Sequence, residues 1–217
     1  MDSTALEWFR CFGLVGLLGS GLLLVADLVL LYSPIPAAHF NVFTAAVGKS
    51  RARLVYGSLL GVFAIPLVLV GFAHIFLALR PAGVWLSMPP VLLGVFAYVV
   101  GAAFHAAIPF YLAAIQQTHA TNASASPLVA LMASVFVPLQ RSLFVLVAIS
   151  ALWLLAALLS GSTLYPRWMA IVSPAALVVF FRVLMRISRP AVAGVLFPAG
   201  NNLAMLVFLL SSLVVLA

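Results

Sequence analysis

The chain reads as long apolar runs separated by short polar or proline-rich connections. The first run covers about residues 12–32 and ends at Ser33-Pro34-Ile35-Pro36, where two prolines disfavour further helix. The second, about 55–79, stops at Arg80-Pro81-Ala82-Gly83. The third is expected from near Pro90 to 116, with Trp85 and Met88 at the interface before it, and a polar linker follows. Residues 127–139 are apolar but short, a length typical of interfacial or re-entrant segments. They form either such a segment before a fourth run at about 142–159, or the first half of one long helix kinked at Pro138. The fifth and sixth runs are about 168–184 and 192–215. Each full run is close to the roughly 20 residues that a helix needs to cross a bilayer.

Backbone amides in lipid must be satisfied within a helix or a closed barrel. Barrel strands alternate apolar and polar residues, and a stretch such as 59–79 shows no alternation. Composition agrees: 66% of residues are hydrophobic and 6% charged, against roughly 25% charged in soluble domains. The expected fold is therefore all-α, an integral membrane bundle of about six transmembrane helices forming one domain over 1–217.

The net charge of +7 does not signal nucleic-acid binding, because the basic residues sit mostly in short connections between apolar runs. Anionic lipid and the positive-inside bias account for that placement. Lys49, Arg51 and Arg53 follow the first run, and Arg182, Arg186 and Arg189 cluster around the end of the fifth. The other side carries Arg10, Arg80 and Arg167. Odd-numbered loops are thus expected in the cytoplasm, with both termini outside. Arg182, Arg186 and Arg189 share one helical face, and serve either as snorkelling arginines or as a site for an anionic headgroup. Asp2 and Glu7 precede Arg10, the reverse of a signal-peptide start, so the first run is expected to be retained. Cys11 is the sole cysteine, which excludes an internal disulfide.

Polar residues inside apolar runs carry the candidate chemistry, since an Asp at a helix centre costs roughly 2.5–3.5 kcal/mol to insert. Asp27, His74, His105, Asn201 and Asn202 meet that description. Counting helical rise from the expected ends places His105 and Asn201 about 17–18 Å above the cytoplasmic boundary. Asp27 and Tyr111 then lie about 9 Å up, and His74 about 30 Å up. His105 and Asp27 are the candidate acid–base pair, and His74, Tyr111, Asn201 and Asn202 the candidate ligand-binding residues. Pro109 should free the carbonyl of His105 from its helical partner. Pro198-Ala199-Gly200 could interrupt the sixth run just before the asparagines. Each of these groups also has a structural reading, as a hydrogen bond that locks helices together. His39 and His119 lie in loops and receive no role, and the Asn122-Ala123-Ser124 sequon falls in an expected cytoplasmic loop. Gly16 and Gly19 are three apart, which suits close helix packing better than a dimerisation motif.

Spacing offers no zinc or di-iron pattern, so no metal is expected, and no motif indicates a cofactor. A bis-histidine haem would need ligands at compatible depths, and His74 and His105 are expected about 12 Å apart in depth. No phosphate loop or serine-centred nucleophile motif is present.

The run Ala26-Asp27-Leu28-Val29-Leu30-Leu31-Tyr32 is distinctive. Together with Gly71-Phe72-Ala73-His74, Phe104-His105-Ala106 and Asn201, it resembles a family of small bacterial six-span membrane proteins known only as a domain of unknown function. The resemblance implies a compact six-helix unit, located in a bacterial inner membrane, with the intramembrane Asp and two His as family features. It supplies no activity. The leading expectation is an apolar cavity with a polar floor, binding or transforming a lipid-like or small hydrophobic molecule. The alternatives are a proton-coupled transporter or channel, using Asp27, His105 and His74 at rising depths, and a structural membrane subunit. Expected partners are membrane lipids; a homo-oligomer stays open.

Overall fold

The structure, a computed structural model, describes residues 3–34, 48–120 and 127–216. His39 and the Asn122 sequon lie outside the described residues. The described chain is all-helical apart from its connections: α1 (Ser3–Leu31), α2 (Arg51–Leu79), α3 (Val84–Ala120), α4 (Pro127–Ser160), α5 (Pro174–Ile187) and α6 (Pro190–Val215). Short 3-10 turns occupy Arg80–Ala82 and Arg167–Ala170. Among the described residues five helices, all but α5, are long and apolar enough to cross a membrane, one fewer than the six crossings expected from the apolar runs.

Two stretches differ in detail from the sequence reading. Residues 127–160 form one continuous helix that contains Pro138, so the long-helix alternative describes them. The stretch expected as the fifth span is divided: α5 has only 14 residues, about 21 Å of rise. The chain before it folds into the end of the bundle instead of extending the helix. There the Leu164 N–H donates to the Ala78 carbonyl, and Tyr165 and Met169 are fully buried. Ser173 then caps α5 through a hydrogen bond from the Ala176 N–H, and Pro174 occupies its first turn. Pro198 does not break α6, which runs unbroken past it. One proline removes a single ladder bond, and packing of the surrounding turns holds the helix together.

Packing orders the helices around a ring: α4, α3, α2, α1, α6, α5. The α1–α2 contact is the most extensive, and its closeness is set by glycine. Gly16 and Gly71 face each other across it, and a Cβ added to Gly16 would lie 2.4 Å from the Gly71 Cα. Gly19 abuts the Val68 backbone in the same way. The small residues of α1 therefore serve packing within the chain. The ring closes weakly, since α4 and α5 touch over a shorter stretch than any other neighbouring pair.

At the end of the bundle where α1 stops, basic side chains cap its free carbonyls. Arg53 donates from Nε to Val29 O (3.0 Å), and Lys49 Nζ donates to Tyr32 O (2.7 Å). Cations there also complement the negative end of the helix dipole. Burial, and secondarily the neighbouring Arg53 charge, pushes the Lys49 ammonium from its ordinary 10.5 down to about 8. Between those values the unfolded chain holds a proton that the folded chain has released, so stability rises with pH across that window. The unfolding midpoint of detergent-solubilised protein should climb between pH 8 and 10 more steeply for the native chain than for Lys49→Met. Parallel pH profiles for the two would show that Lys49 is not depressed.

Candidate functional site

The site begins with a break in one helix ladder. Pro109 cannot donate to the carbonyl of His105, as its spacing predicts, and that carbonyl instead accepts from the Ser58 hydroxyl on α2. This cross-helix bond fixes the turn that carries the imidazole. Gly61, three residues after Ser58 on α2, leaves room for the ring: a Cβ there would lie 2.2 Å from His105 Nδ1. His105 Nδ1 is buried and has no hydrogen-bond partner among the described residues.

The other ring nitrogen points at a carboxylate. His105 Nε2 lies 3.4 Å from Asp27 Oδ1, within ion-pair reach and long for a hydrogen bond. The second oxygen, Oδ2, accepts from Asn202 Nδ2 at 2.6 Å. The Asn202 carbonyl oxygen in turn accepts from the Tyr98 hydroxyl at 3.3 Å. Four helices thus contribute to one chain of polar groups: Asp27 from α1, Ser58 from α2, Tyr98 and His105 from α3, Asn202 from α6. Asp27 and His105 are only 6% and 5% exposed. A carboxylate in this setting is held by its partners rather than by water.

Asp27, Tyr98, His105 and Asn202 face a cavity of 470 Å³ in the centre of the ring, lined by residues from all six helices, within the roughly 300–1,000 Å³ typical of small-molecule sites. Asp27, Tyr98, His105, Asn201, Asn202, Gln140 and Arg182 give it polar groups, and most of the remaining wall is apolar. The wall includes Phe72, Ile75, Pro90, Leu154 and Met205.

The structure distributes the sequence candidates unevenly. Asp27, His105 and Asn202 are joined directly, and Asn201 lines the cavity beside them. Asp27 is level with His105 rather than about 9 Å below it, because α3 and α6 extend beyond the end of α1. Tyr111 is buried outside the cavity, where its ring packs on Phe136 with centroids 4.8 Å apart.

His74 belongs to a second, separate network. Its ring nitrogens lie 2.9 Å from the Phe9 carbonyl and 2.6 Å from Ser212 Oγ, and that hydroxyl donates to the Tyr165 hydroxyl at 2.9 Å. The imidazole is fully buried, with the Phe9 ring against it. These bonds tie α1, α2, α6 and the connection before α5 together. Along α2, His74 is thirteen residues beyond Gly61, about 20 Å from the His105 ring. The evenly rising series of Asp27, His105 and His74 is therefore replaced by one touching pair and a distant third group.

Tyr98, Ser58, Gly61 and Gln140 were not singled out by the sequence. Tyr98 stands seven residues before His105, two turns along the same face, and that spacing was a usable signal. Among the described residues no group of three or more His, Cys, Asp or Glu could hold a metal ion.

The all-helical fold agrees with the family resemblance carried by the Asp27, His74 and His105 segments. A family model described as a family of unknown function (DUF6796) matches residues 1–217. The chain belongs to that family. No curated protein and no solved structure matches it. DUF6796 membership thus joins an apolar helical bundle, of the kind found in membranes, to a family without an assigned activity.

Proposed function

We propose that this DUF6796 protein binds a lipid-like or small hydrophobic molecule in its central cavity, with Asp27, His105 and Asn202 as the polar anchor. The carrying observation is that α1, α3 and α6 bring Asp27, Tyr98, His105 and Asn202 together on one mostly apolar cavity of ligand size. Hydrogen bonds that only locked helices together would not need to border such a space. A His paired with a carboxylate can also pass a proton to or from a bound molecule. That gives His105 and Asp27 an acid–base role if the ligand is transformed. The basic end of the bundle is proposed to face the cytoplasm, which puts both termini outside.

Mass spectrometry of the molecules that co-purify with the detergent-solubilised protein tests this reading. Wild type should retain a discrete hydrophobic compound that His105→Ala loses, while His74→Ala keeps it despite a lower unfolding midpoint. The same bulk-lipid spectrum from all three proteins would overturn the proposal.

A further inference from the structure

The cavity is elongated along the helices, and its polarity is sorted by depth. Along α3 its wall runs from Pro90 to His105, and along α4 from Gln140 to Leu154, each about 21–22 Å of helical rise. Gln140, His105 and Arg182 lie towards the basic end, where α1 stops. Pro90, Ile75 and Leu154 lie towards the opposite end, and the polar wall residue there, Ser150, already donates its hydroxyl to Pro90 O at 2.7 Å. One end of the slot is therefore polar and the other apolar.

Arg182 is the cationic residue of the wall. It is exposed, and its guanidinium sits 5.8 Å from the Phe197 ring centroid, which positions the charge without neutralising it. Phe197 is five residues before Asn202 on α6, about 7.5 Å towards the basic end. The guanidinium thus stands between the Asp27–His105–Asn202 chain and the membrane boundary. It also belongs to α5, beside the weak α4–α5 contact at which the ring closes.

We propose that the cavity takes a single-chain anionic amphiphile: an alkyl tail along the apolar half, and a terminal carboxylate or phosphate on Arg182. The ligand enters laterally from the membrane between α4 and α5. An elongated slot fits one chain, a planar guanidinium pairs with an oxyanion in bidentate fashion, and lateral entry keeps the tail out of water. This inference rests on the ligand-binding reading above and names its substrate class.

The test measures binding of oleate, a lysophosphatidate, and the neutral oleyl alcohol to the full detergent-solubilised chain. Wild type should bind at least one of the two anionic amphiphiles ten-fold or more tightly than the alcohol; which one separates a carboxylate from a phosphate head. Arg182→Gln should erase that preference and leave alcohol binding unchanged, Arg182→Lys should restore part of it, and Arg186→Gln should have no effect. Arg182 is exposed, so its replacement leaves the core intact. An unchanged preference in Arg182→Gln, or an equal loss in Arg186→Gln, would overturn the Arg182 assignment while the cavity reading stands. Binding of none of the three probes by wild type would overturn both.

Discussion

Gly16→Ala is expected to destabilise the protein by about 3 kcal/mol, the upper part of the range for overpacked cores, whereas Gly21→Ala on the same helix should be neutral or mildly stabilising. The two substitutions add the same methyl group to the same helix, so propensity cannot separate them. What differs is the obstacle. At Gly16 the new carbon would stand 2.4 Å from the Gly71 Cα, about 1 Å short of ordinary contact. Backbone cannot rotate away as a side chain does, so α1 and α2 must separate. They would do so along the bundle's largest helix contact, which Gly19 and Val68 also share. At Gly21 the new carbon meets only Leu206 Cδ1, at 3.8 Å. Unfolding of the purified proteins by denaturing detergent reads the difference, and equal midpoints would show that the glycine crossing does not set helix separation.

The hydrophobic runs and their prolines made the helices legible, because lipid permits few other solutions for such a chain. Pro109 was informative beyond its helix: it marked a carbonyl needing a partner, which Ser58 supplies. Depth was less legible, because the count from helix ends assumed a common boundary. α1 stops at Leu31, yet α3 continues to Ala120, where Gln116 Nε2 reaches the Lys49 carbonyl at 2.9 Å. That stagger, eleven residues or about 16 Å measured from the Asp27–His105 level, hid the contact between Asp27 and His105. His74 shows a second limit. An isolated histidine in an apolar run announces that it needs polar partners, but Ser212 lies 138 positions away and Tyr165 sits in a connection. Only the packed bundle shows that His74 is satisfied away from the cavity.

Asp27→Ala is expected to cost the protein its bound molecule, lowering retention ten-fold or more while unfolding falls by about 1–2 kcal/mol. Hydrogen bonds between membrane helices average only about 0.6 kcal/mol, with a maximum near 1.7, and Asp27 contacts two partners, His105 and Asn202. The stability effect is therefore bounded. The effect on the site is larger, because this carboxylate orients both groups. Without it, the Asn202 amide loses its acceptor and His105 Nε2 loses its facing carboxyl group. Misplacing both groups costs the ligand two hydrogen bonds of about 0.5–1.5 kcal/mol each, which corresponds to a factor of about ten or more in affinity. Asp27→Asn separates the acid group from its shape. It keeps an oxygen for Asn202 but puts an amide where the carboxyl group faces His105, so it should unfold near wild type and still lose most of the co-purified molecule. Full retention by Asp27→Asn would make the carboxylate a hydrogen-bonding spacer. Full retention by Asp27→Ala as well, with unfolding lowered, would leave the polar chain a structural lock between α1, α3 and α6.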